Sequence, residues 1–182
     1  MFDLSTESRP DHIVHRYKDA LRALYAKYGA VPVFYEVARL SAKGGHAHVQ
    51  AVPVPVALQN EVEAAFLKEG RVLGIDFESD ADGALEICAG GARSYFLVNL
   101  PDGRKLIHLM KDHVPFSVQF GRYVLSQVMI SLFEGVSLRQ VLVSLLKITE
   151  RLDWKMCVLS EEEDKADVEL FKKVFTLFDP SL

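Results

Sequence analysis

Long apolar runs are missing from this chain of 182 residues. Its most apolar region, Tyr123 to Ile148, is broken by Glu134, Arg139 and Lys147, and its longest uncharged run, Tyr123–Phe133, is too short to span a bilayer. A basic excess is missing too. Lys and Arg number 21 against 25 Asp and Glu, a net charge of -4, which argues against a broad phosphate-binding surface but does not exclude a local basic patch. Cysteine is scarce: Cys88 and Cys157 have no metal-like spacing. With no secretory leader read at the start, a reducing compartment, nucleus or cytosol, is expected. What the chain does have is 49% hydrophobic residues, enough to build a core and to exclude wholesale disorder.

The apolar residues are organised in short periods. Ser8-Arg9-Pro10-Asp11 reads as a helix start, and Ile13, Tyr17, Leu21, Leu24 and Tyr28 recur at helical spacing until Gly29. Val31–Ala38 reads as a strand, Arg39–Gly45 as a loop, and His46–Val54 as a second strand antiparallel to the first. Pro53 and Pro55 place that strand's end, or a sheet edge, there. Leu58, Val62, Ala65, Phe66 and Leu73 predict a helix closed by Gly74. Glu78–Arg93 reads as a connection. Tyr95–Leu100 and Lys105–Met110 flank Pro101-Asp102-Gly103, a hairpin with its own turn chemistry. Ser160-Glu161-Glu162-Glu163 is a capping box, opening a helix with Val168, Phe171, Val174, Phe175 and Phe178 as its core face and Pro180 as its stop. The expected class is α+β.

One stretch points to chemistry: GGHAHVQAVPVP, residues 44–55. Strand side chains alternate, so His46, His48 and Gln50 share one face and Ala47, Val49 and Ala51 the other, expected to be a small core face. Three readings suit the polar row. A neutral imidazole can attack phosphorus and form a phospho-histidine, with its neighbours binding phosphate oxygens. His-x-His can supply two metal ligands, with Glu36 or a distant histidine as a third. Or the row is a hydrogen-bonded polar face. His12 and His15 read as solvated helix residues, and His108 and His113 join no constellation. Trp154 and the phenylalanines of the last helix read as core.

Two collinear blocks resemble the CwfJ family, the splicing-factor Cwf-nineteen-like proteins. The first runs from Tyr17-Lys18-Asp19-Ala20-Leu21 through Val33-Phe34-Tyr35-Glu36 to GGHAHVQAVPVP, and is similar to the family's first C-terminal domain, a relative of the histidine-triad fold. The second holds Tyr95–Val98, Pro101-Asp102-Gly103, Pro115-Phe116, Gln119-Phe120-Gly121-Arg122 and Asp153–Cys157, and ends at Phe175 to Asp179. It resembles the second C-terminal domain. The implied domains are 1–78, a connection over 79–93, and 94–182. Tyr123–Arg139 interrupts the second block. Joining Arg122 to Gln140 restores the pattern as FGR-QVLVSLLK, so the segment reads either as a translated, unspliced intron or as a helical insertion carrying Val124, Val128, Leu132 and Val136.

The resemblance implies an accessory or scaffold protein of pre-mRNA splicing and intron-lariat turnover, nuclear or also cytoplasmic. Its implied partners are spliceosomal proteins, the lariat debranching enzyme and RNA or nucleotide, with no membrane, cofactor or metal. His-x-His-x-Gln is also similar to the row of galactose-1-phosphate uridylyltransferases. By position that makes His48 the nucleophile, His46 its support and Gln50 a phosphate-contacting amide. The alternative function is therefore a histidine-triad-type nucleotidyl hydrolase or transferase. In that fold, strands preceding this chain complete the nucleotide pocket. The chain alone is then expected to be inactive, with an exposed sheet edge and a tendency to self-associate.

Overall fold

A computed structural model describes residues 10–39, 46–78, 81–89, 93–111, 114–131 and 160–182. His113, Trp154, Cys157 and the part of the 123–139 segment beyond Ser131 lie outside them. The described residues form helix α1 (Pro10–Ala26), strands β1 (Ala30–Arg39) and β2 (His46–Pro55), and a 3-10 turn (Val56–Glu61) running into α2 (Val62–Val72). Helix α3 (Ala81–Ala89), strands β3 (Tyr95–Asn99) and β4 (Lys105–Leu109), α4 (Phe120–Ser131) and α5 (Glu161–Phe175) follow. The class is α+β, as expected.

The four strands make one open antiparallel sheet in the order β2-β1-β3-β4. β1 is paired on both sides, with β2 through Val37↔His48 and with β3 through Val37↔Phe96. Strands of the two sequence blocks therefore share one set of ladder hydrogen bonds. β2 stands at an edge of this sheet, where Pro53 and Pro55 remove no ladder donor that a neighbour needs. The predicted hairpin joins β3 to β4. Gly103 sits at φ 89, and the Leu100 amide donates to the Arg104 carbonyl at 2.8 Å. The residues read as a plain connection include α3, whose Ala84 packs on Leu97 and Ile107.

Register decides the layers, because residues opposite one another across a ladder point to the same face. Val33, Tyr35 and Val37 of β1, Val52 and Val54 of β2, Phe96 and Val98 of β3 and Leu106 of β4 share the face covered by α2 and α4. Phe66, Phe96, Phe116 and Phe120 meet there as tilted and edge-to-face pairs with centroids 5.2–6.1 Å apart. The opposite face carries Phe34, which lies under Lys18 and Arg22 of α1, and Leu97 and Ile107 under α3.

This corrects the expectation for β2. Ala47 and Val49 are exposed and Ala51 half-buried, so that side is not a core face. The alternation that begins at His46 continues through Val52 and Val54 into the main core. A second correction concerns α5. Its capping box forms as predicted: the Glu163 amide donates to Ser160 Oγ, and the Ser160 amide donates to Glu163 Oε2 at 2.9 Å. Of its expected core face, however, Phe175 is buried while Val168 and Phe171 stay exposed. Phe175 packs on Ala20 and Leu24 of α1 and stacks on Tyr17.

Candidate functional site: a cleft between β2 and the start of α4

His48 and Gln50 of the polar row border a cleft of about 850 Å³. His48, Val49 and Gln50 supply one wall, Val37 and Arg39 of β1 the floor, and Val118, Gln119 and Arg122 the opposite wall. His48 is exposed and Gln50 half-buried. His46 lies opposite Arg39 in the ladder, two residues along the strand from His48.

Gln50 is held from two sides. Its Oε1 accepts the Tyr35 hydroxyl at 2.9 Å and Arg122 Nε–H at 3.1 Å. Arginine can only donate, so the oxygen must face these two partners, and the amide Nε2, a donor, is the hydrogen-bonding atom left for anything else. Tyr35 is fully buried, and burial raises its pKa, an effect opposed by the charge and hydrogen bond of Arg122. The phenol therefore stays protonated and keeps donating.

Two arginines border the cleft, and both donate to neutral acceptors. Arg39 Nη2 donates to the Phe116 carbonyl at 2.9 Å, and Arg122 donates to the Gln50 amide. Neither bond cancels a positive charge. Arg122 also sits in the first turn of α4, where unpaired amides add partial positive charge. The approach of α4 to β1 needs Gly121. A Cβ there would stand 2.7 Å from two atoms of the Tyr35 ring, so a larger residue would push Arg122 away from Gln50.

The structure thus brings His48 and Gln50 to one cleft and adds four residues that the row alone does not reveal: Tyr35, Arg39, Gln119 and Arg122. Two signals for them exist. Arg39 has the parity of Tyr35 and Val37, and Gln119-Phe120-Gly121-Arg122 opens a helix, but only the tertiary fold sets it against β2. Glu36 fails as a third metal ligand. It pairs in register with Val49, so it belongs to the other face, where it accepts the Tyr95 hydroxyl at 2.8 Å. No group of three or more metal-ligating side chains occurs among the described residues. His108 is also placed apart: its Nδ1 meets the Asp76 carbonyl at 2.7 Å and its ring stacks on Phe116. No helix among the described residues is long and apolar enough to cross a membrane.

Such a cleft can bind an anion. The imidazole, two guanidinium groups and an amide donor converge on one opening, and planar guanidinium forks suit phosphate oxygens.

Comparison with known proteins places the chain. Residues 4–67 match the family described as "Protein similar to CwfJ C-terminal". The chain is 34% identical over 174 residues to "Zinc finger CCCH domain-containing protein 59" of Oryza sativa subsp. japonica, covering 91% of this chain and 25% of that protein. It is 30% identical over 166 residues to "CWF19-like protein mug161" of Schizosaccharomyces pombe, covering 91% and 25%. It is 27% identical over 172 residues to "CWF19-like protein 1" of Homo sapiens, covering 93% and 28%. The chain spans about a quarter of the length of these relatives. These alignments cover more than nine-tenths of the chain, and together with the family model's match over residues 4–67 they show that the chain belongs to the CwfJ/Cwf19 family.

Proposed function

We propose that this chain is an accessory component of pre-mRNA splicing and intron-lariat turnover in the nucleus. It works beside spliceosomal proteins and the lariat debranching enzyme, and holds a phosphate of RNA in the β2–α4 cleft. The observation that carries the reading is the Arg122–Gln50 hydrogen bond. It joins the second sequence block to the His-x-His-x-Gln row and leaves two guanidinium charges beside His48. A local basic site within an acidic chain favours a specific phosphate over a broad nucleic-acid surface. The test is fluorescence anisotropy with short branched and linear RNAs across a salt series. Arg122→Ala and Arg39→Ala are expected to weaken binding and to flatten its salt dependence. Unchanged affinity in the folded double variant refutes the cleft as the RNA site.

A second reading follows from the exposure of His48 in that cleft. Its ring nitrogen attacks phosphorus; a P–N bond to the imidazole forms as the bond to the leaving group breaks, an oxygen in a dinucleotide or the amine nitrogen in a phosphoramidate, which takes a proton from solvent, and water then cleaves the bond to the imidazole. Gln50, donating from Nε2, contacts the phosphate oxygens, and His46 supports the nucleophile, as in the histidine-triad-like assignment. Intact-mass spectrometry after incubation with nucleoside phosphoramidates and dinucleotides separates the two. A nucleotidyl increment lost in His48→Ala supports chemistry. Binding with no increment leaves the cleft as a recognition site.

A further inference from the structure

Beside the cleft lies a second cavity of about 430 Å³. We propose that it is a nucleobase subsite, taking the base of a nucleotide whose phosphate lies between Arg39, His48 and Arg122. The inference rests on the phosphate-binding reading above.

Gln119 lines both cavities, so the two are neighbours on either side of this residue. Both linings are mainly apolar, with Val37, Val49 and Val118 in the cleft, but they differ in charge and in rings. The cleft presents two guanidinium groups and one imidazole; the second cavity presents the rings of Phe116, Tyr123 and His108, with Met110 and Lys111 beside them. A nucleotide has the same division, an anionic end and a flat, weakly polar ring. Aromatic walls suit that ring by stacking, as they do in single-strand binding proteins.

The second cavity also has a few placed polar groups. A carbonyl can only accept, so the 2.7 Å contact with Asp76 puts a proton on His108 Nδ1, and in the neutral ring Nε2 is then an acceptor. The Gln119 amide offers both a donor and an acceptor. Apolar walls with a few such groups are the usual make-up of a small-molecule site, and the volume falls within the customary range of roughly 300–1,000 Å³. The walls are braced. The Phe116 carbonyl accepts Arg39, which ties the second cavity to the cleft, and the Tyr123 hydroxyl donates to Glu69 at 3.2 Å.

A free nucleotide and a nucleotide unit of RNA share this chemistry, and four probes distinguish them on the full chain. They are AMP, ribose 5-phosphate, a 5′-phosphorylated adenosine pentamer, and the same pentamer with its first residue abasic. Binding is measured by calorimetry. Loss of the base is expected to weaken binding at least tenfold. A preference confined to the pentamers assigns RNA, and one confined to the mononucleotides assigns a free nucleotide. Val114→Trp fills the exposed rim, and Gln119→Leu removes the shared amide; both are expected to reduce the preference, with folding checked by circular dichroism. Equal binding with and without the base overturns the subsite while sparing the phosphate site. A preference unchanged in both variants overturns its location. No binding of any probe to the folded chain overturns the phosphate reading and this inference with it.

Discussion

Arg122 Nε donates to Gln50 Oε1 at 3.1 Å across 72 residues of chain, and the Tyr35 hydroxyl donates to the same oxygen at 2.9 Å. One amide oxygen therefore joins a buried strand, an edge strand and the first turn of a helix. The cleft depends on this junction.

Gly121 is the steric condition for it. Alanine in a helix normally gains about 1 kcal/mol over glycine. Here its Cβ would stand 2.7 Å from the Tyr35 ring, and overpacking a rigid core costs about 1–3 kcal/mol. Gly121→Ala is expected to lower stability in urea titration and to weaken phosphate binding. Trimming the ring with Tyr35→Val should remove most of the added penalty in a double-mutant cycle. A Gly121→Ala protein more stable than the parent would count against the packing.

Tyr35 sets an alkaline limit. Burial raises its pKa, so the folded state keeps the phenol proton to higher pH than the unfolded chain does. That contribution is complete below the ordinary phenol value of about 10 and is lost as pH rises through the folded value. Stability should fall above pH about 10. Tyr35→Phe should flatten this decline while costing about 1 kcal/mol at neutral pH for the lost hydrogen bond. Urea midpoints at several pH values decide it. An equally steep alkaline decline in both proteins would assign the limit to other groups.

Deletion of 123–139 tests the interruption of the second block. Val124, Leu125 and Val128 are buried in the main core. After deletion, Val141, Leu142 and Leu145 would follow Arg122 at the same three positions, and Lys147 would replace the buried Ile130. The apolar pattern is thus kept at every main-core position. We expect the shortened chain to fold, with a Tm within about 5 °C of the parent. A transcript lacking the segment as its main form would identify it as intronic. Failure of the shortened chain to fold would make it a required part of α4.

Phe175 holds α5 to α1. It is buried against Ala20 and Leu24 and stacked on Tyr17. Phe175→Ala is expected to cost about 2–3 kcal/mol, below the 3–5 of a fully buried phenylalanine. Hydrogen exchange should show Glu161–Phe175 losing protection before the sheet does. Uniform loss across the chain would mean that α5 unfolds only with the core.

Local chemistry was legible in the residues themselves. The helical period from Ile13, the strand pair, the Pro101–Gly103 turn and the Ser160 capping box each rest on groups a few residues apart, so each is written in a short stretch. The row of His46, His48 and Gln50 was legible for the same reason, since strand parity is local. Tertiary structure alone decided which side of β2 meets the core, because a pleat has two faces and only packing against α2 and α4 selects one. It also decided that Glu36 faces away from His48. And it set Arg122 against Gln50, since two residues 72 apart become neighbours only when β1 accepts β3 as its second partner and α4 closes over Tyr35.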